Sequence, residues 1–124
     1  MSGVINRGVP KEWIPEKARE FAKIFKEDKE WWENYFFTQT ESSANHLLKS
    51  LKLSKEQTQI MPQFVSVLLR DVYYHILRGL DGAVSIGGDQ QAYKIYDEND
   101  NLISDCGDLE AAAWEVFYGD ESED

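Results

Sequence analysis

The chain has 124 residues, enough for one domain that buries its own core without staples. Its 42% hydrophobic and 13% aromatic fractions are those of a globular chain and exclude a disordered one. The net charge of −10 is unevenly spread: residues 1–80 hold 12 Lys/Arg against 10 Asp/Glu, and residues 81–124 hold Lys94 alone against 13 acids. The last third is therefore at −12, and still at −8 once the four acids of the 119–124 tail are set aside. A field of that sign repels nucleic acid and draws basic partners.

Cys106 is the single cysteine, so no internal disulfide forms. No signal-peptide core and no run of membrane-spanning length is present, which predicts a soluble, cytoplasmic protein. One domain is expected over residues 1–124, with a loose lead-in at 1–12 and an acidic, frayed tail at 119–124.

Pro15 suits the first position of a helix, where its missing N–H costs nothing. Ala18, Phe21, Ala22 and Phe25 follow at i, i+3, i+4 and i+7, an amphipathic stripe. Asp28 is expected to cap a second helix carrying Trp31, Trp32, Tyr35, Phe36 and Phe37. Most of these aromatics are expected in the core, with Trp32 or Phe36 free to anchor a partner.

Leu47, Leu48 and Leu51 mark a short helix, and Ser54 with Gln57 has the form of a capping box. Pro62 is expected to restart or kink the helix that follows. Met61–Arg78 is the strongest helical pattern. At the standard period Met61, Val65, Leu68, Leu69, Val72 and Ile76 share a sector about 100° wide, the expected main buried stripe of a central helix.

Asp71, Tyr74, His75 and Arg78 cluster on another sector of that helix. Asp71 and His75 stand at i, i+4, close enough to pair. As chemistry they would be an acid–base pair beside an anion-holding arginine. As structure they would be a polar network that satisfies the helix end, and with no nucleophile or metal partner in the pattern the structural reading is preferred. Gly79 is expected as a left-handed helix stop.

Ala83–Ile86, Gln91–Tyr96 and Leu102–Cys106, separated by turn residues, predict a three-stranded antiparallel sheet. The glycines around it lack the lysine and following helix of a phosphate loop. Asp97, Asn99 and Asn101 have calcium-loop spacing, but Leu102 stands where a glycine is required and Asp108 where a bidentate glutamate is. No metal or cofactor is expected. Asp108 should cap a last helix with Leu109, Ala112, Ala113, Val116 and Phe117 on its apolar face.

The fold class predicted is α+β: a helical bundle with a long central helix, packed on a small antiparallel sheet and a C-terminal helix. The charge points to a protein-binding inhibitor, not an enzyme. Its contacts with a basic protein would be Asp89, Tyr96, Asp97, Glu98, Asp100 and Asp105. The segment His75–Phe117, with the order LRGLDGAVSIGGDQQAYKIYDENDNLISDCGDLEAAAWEVF, resembles small bacterial immunity proteins found beside polymorphic or contact-dependent inhibition toxins. That resemblance implies a cognate toxin, such as a nuclease, and self-protection in the cytoplasm. The alternatives are a phage-type nucleic-acid mimic or anti-defence inhibitor, and a small enzyme or ligand-binding domain using Asp71, His75 and Arg78.

Overall fold

The structure, a computed structural model, describes residues 11–123. The expected lead-in lies mostly outside them, as does Asp124. A 3₁₀ turn, Lys11–Trp13, precedes α1 (Glu16–Thr38), α2 (Ser43–Ser50) and α3 (Lys55–Leu80). A hairpin of β1 (Ile95–Tyr96) and β2 (Leu102–Ser104) leads into α4 (Asp108–Glu123), which continues through the stretch expected to fray. The fold is mostly helical with a small two-stranded antiparallel sheet.

Two expected helix breaks are absent. Nothing between Pro15 and Thr38 interrupts the helical ladder, and Asp28 caps no helix; its Oδ2 accepts from the Tyr73 hydroxyl at 2.7 Å. Pro62 lies inside α3. The carbonyl it leaves without an N–H donor is that of Thr58, and both residues are exposed, so water can satisfy it. The Ser54–Gln57 capping box is formed in both directions, 3.1 and 2.9 Å.

The core sits at one end of the molecule. Ala18 and Ala22 of α1, Leu77 of α3 and Leu109, Ala112 and Ala113 of α4 are wholly buried, with Ile14 and Phe117 beside them. Four alanines at the contact let three helices approach closely. Phe21, Phe25, Tyr73, Leu80 and Ile95 close the cluster. Where it ends, the buried Lys29 of α1 donates to Ser66 of α3 at 3.1 Å and pairs with Glu33.

The expected main buried stripe of α3 is not buried on either side of Lys29. Met61, Val65, Leu69 and Ile76 are half-buried, while Leu68 and Val72 are 49% and 46% exposed. Of the α3 residues only Leu77 and Gly79 are buried. The aromatic run of α1 fares likewise: Trp31 is exposed and Trp32, Tyr35, Phe36 and Phe37 are half-buried. Trp31 stacks on Tyr35 at 5.2 Å, so these rings cover one another in place of a core. The reason is a shortage of cover. The eight-residue α2 is held against the end of α1 by Asn45, whose Nδ2 donates to the Phe36 carbonyl at 3.0 Å.

The sheet is also smaller than expected. Ala83–Ile86 is not a strand; two isolated bridges, Asp81 to Ala92 and Ile86 to Asp89, replace a third ladder. Gly82, Gly87 and Gly88 adopt positive φ of 84°, 60° and 84°, which turn the chain too tightly for extended pairing. Gly79 is helical, not a left-handed stop. It is glycine because a Cβ there would overlap Cγ1 and Cδ1 of Ile86.

Candidate protein-interaction surface

The hairpin pairs Ile95 with Ser104 and Tyr96 with Leu102, leaving Ile103 as a bulge. Ile95 packs on the core and Ser104 is buried, which fixes the hairpin to the helices. Tyr96 and Leu102 stand opposite each other, 54% and 45% exposed. They form a small apolar spot where the strands meet the loop.

The loop beyond them is ordered by Asp97. Its Oδ1 accepts from the backbone N–H of Asn99 and of Asn101, both at 2.9 Å, and its Oδ2 accepts from the Asn101 side chain at 3.2 Å. Asp97 N–H donates to the Asn101 carbonyl at 3.0 Å, closing the turn. These bonds, that of the Asn101 N–H foremost, hold the Asp97 carboxyl below the usual carboxylate range. Asp100 takes a left-handed φ of 65° at the tip. Asp97 therefore spends its oxygens on the loop, whereas Glu98, Asp100 and Asp105 are exposed to solvent. Asp89 is exposed too and accepts from the Gln91 side chain at 2.7 Å. Of the six expected contact residues Asp89, Tyr96, Glu98, Asp100 and Asp105 are exposed, and Asp97, half-exposed, is bonded into its own loop.

Several other acids of the last third are committed to structure. Glu110 accepts from Arg78 at 3.0 Å and Glu115 from Arg19 at 2.8 Å, fastening α4 to α3 and α1. Asp81 is buried; its Oδ1 accepts from Gly107 N–H at 2.6 Å and its Oδ2 from Glu110 N–H at 2.9 Å. Burial raises the Asp81 carboxyl above its ordinary value, and the N–H bonds pull the other way. No sequence expectation of a cap attaches to Asp81. No local pattern marks it as one, because the N–H groups it accepts from lie 26 and 29 residues further along the chain.

The polar group expected at the end of α3 is dispersed. Arg78 is engaged with Glu110 and stacks over the Tyr74 ring at 5.5 Å. Asp71 accepts from the Tyr118 hydroxyl at 3.3 Å and lies 3.7 Å from Arg70. His75 is exposed, and no hydrogen bond or ion pair joins it to Asp71. Tyr74 joins an aromatic group that the sequence reading did not single out: Trp114 stacks on Tyr118 at 4.7 Å, and Arg70 lies over Tyr118 at 4.5 Å.

Among the described residues no group of three His, Cys, Asp or Glu is placed to hold a metal ion. Among the same residues no helix is long and apolar enough to cross a membrane. In comparisons with known proteins, no family model, no curated protein and no solved structure matches the chain.

Proposed function

We propose that the chain is a toxin-neutralising immunity protein that docks its acidic hairpin on a basic cognate toxin. The observation that carries the reading is the exposed Tyr96–Leu102 pair beside the loop carboxylates Glu98 and Asp100. Protein contacts are built in that way, with an aromatic anchor inside a polar rim. The Asp97 turn adds preorganisation, since a loop already ordered loses little entropy on binding. Carboxylates on such a rim speed encounter with a basic surface, and a nuclease must present one to attract phosphate. In this reading the protein does no chemistry; it covers the partner's site.

The test is a pull-down with the C-terminal domain of a toxin-like protein encoded beside this chain. A tight complex is expected, with association slowing as salt rises. Glu98→Lys with Asp100→Lys should lower the association rate, and Tyr96→Ala should speed dissociation. Failure of the unaltered chain to form a complex would sink the proposal.

A further inference from the structure

The uncovered end of the helical layer is apolar on a scale that a lone domain seldom leaves open. Phe36 and Phe37 of α1, Ala44 and Leu48 of α2, and Met61 and Val65 of α3 line a trough of about 320 Å³. The α3 wall continues outward as a second stripe. Ile60, Phe64, Val67, Leu68 and Val72 recur at i, i+4, i+7, i+8 and i+12, and they are 58%, 58%, 48%, 49% and 46% exposed. On the α2 side Leu47 and Leu51 are 69% and 60% exposed. The seven side chains leave roughly 700 Å² of apolar surface open, where the largest patch on a typical monomer is about 300–600 Å².

We infer that this face is covered by a second copy of the chain, with α3 packed antiparallel on α3 about a two-fold axis. Three observations select that occupant. The open area is close to the roughly 800 Å² that each partner gives to a standard interface. Residues 57–69 carry no charged side chain, so the middle of the α3 stripe has no charge with which to select a partner of either sign; Asp71 stands only at its outer end, beside Val72, and Lys49 and Lys52 flank the α2 leucines. An apolar helix stripe of this period is self-complementary across a two-fold axis.

Charge is compatible with the same arrangement. Two chains at −10 repel unless their acids stay apart. The hairpin lies at the C-terminal end of α3, where Tyr93 N–H donates to the Leu80 carbonyl at 3.0 Å. From Ser66 to Leu80 an α-helix rises roughly 20 Å. Antiparallel pairing centred near Ser66 therefore holds the two hairpins about 40 Å apart, far beyond the screening length of about 8 Å at physiological salt. Both hairpins stay free for partners.

Sedimentation of the full chain from about 1 to 100 µM tests the inference. A species of twice the 14.3 kDa chain mass is expected, with a dissociation constant below about 10 µM. Phe64→Glu and Leu68→Glu should each weaken association by at least about 100-fold, since each buries an unpaired charge. Both sites are exposed in the single chain, so its helical circular dichroism should be unchanged. Ile24→Glu, an equally exposed apolar site on another face, should leave the dimer intact. A monomer throughout this range, a dimer that survives both α3 substitutions, or one that Ile24→Glu dissolves equally would each overturn the inference.

Discussion

The Asp81 carboxylate accepts the backbone N–H of Gly107 at 2.6 Å, twenty-six residues along the chain. Asp81 is also the residue that ends α3, with φ −87° and ψ −6°. One residue thus stops the long helix and, through the Gly107 and Glu110 N–H groups, starts the last one. The acceptor that a local cap would supply for α4 comes instead from α3.

Asp81→Ala should therefore cost more than an exposed substitution. It orphans two N–H groups at a part-buried helix start, a loss of about 1–2 kcal/mol by the usual scale of capping residues. Thermal unfolding followed by circular dichroism should show a midpoint several degrees lower. An unchanged midpoint would mean that the N–H groups find other acceptors.

Gly79 and Ile86 should behave as a coupled pair. A Cβ at position 79 overlaps the Ile86 side chain, so Gly79→Ala should destabilise by about 1–3 kcal/mol, despite alanine's better helix propensity. With Ile86→Ala already in place the same change should be nearly neutral or stabilising. Additive costs in a double-mutant cycle would contradict the contact.

Tyr73 sets an alkaline limit. Burial, helped by the hydrogen bond to Asp28, raises its hydroxyl from 10.0 to about 12. The folded state thus holds this proton more tightly than the unfolded state. The stabilisation is complete below about pH 10 and is lost as pH rises from 10 towards 12. Denaturant unfolding from pH 8 to 11 should show the decline, and Tyr73→Phe should flatten it.

Asp97 sets the opposite dependence at low pH. Its folded carboxyl titrates below the unfolded value, so its contribution is present above the ordinary aspartate range and is lost as pH falls through the folded value. Carbon NMR of the Asp97 carboxyl should give a titration midpoint below the ordinary aspartate value. The Asn99 and Asn101 amide resonances should move with it, because their N–H groups are bonded to that carboxylate.

Leu77 and Leu68 separate what periodicity reveals from what it conceals. Leu77→Ala should cost about 2–5 kcal/mol, since the side chain is wholly buried, and Leu68→Ala less than about 1 kcal/mol in the monomer. Sequence periodicity placed Leu68 in the expected main stripe and left Leu77 out. A stripe of apolar residues shows which face of a helix avoids water, not whether the same chain supplies the cover. Local signals read well for that reason: the Ser54–Gln57 box and the Ala18–Phe25 stripe depend on neighbours three and four residues away. Asp28, Asp81 and Asp97 read less well, because each carboxylate is spent on a group that the reading did not assign to it. Tyr96, Glu98 and Asp100 were legible as an exposed cluster because a charged loop has few other places to be.

The buried Lys29 marks where close packing stops, and α1 and α3 both run past it. Each helix thus has one half clamped in the core and one half that is only partly covered. Cooperative unfolding governs the clamped halves, while the others can open alone at lower free energy. Amide hydrogen exchange along α3 should accordingly be graded, fast near Ile60 and slow near Leu77. Whatever covers the trough would protect those fast amides first.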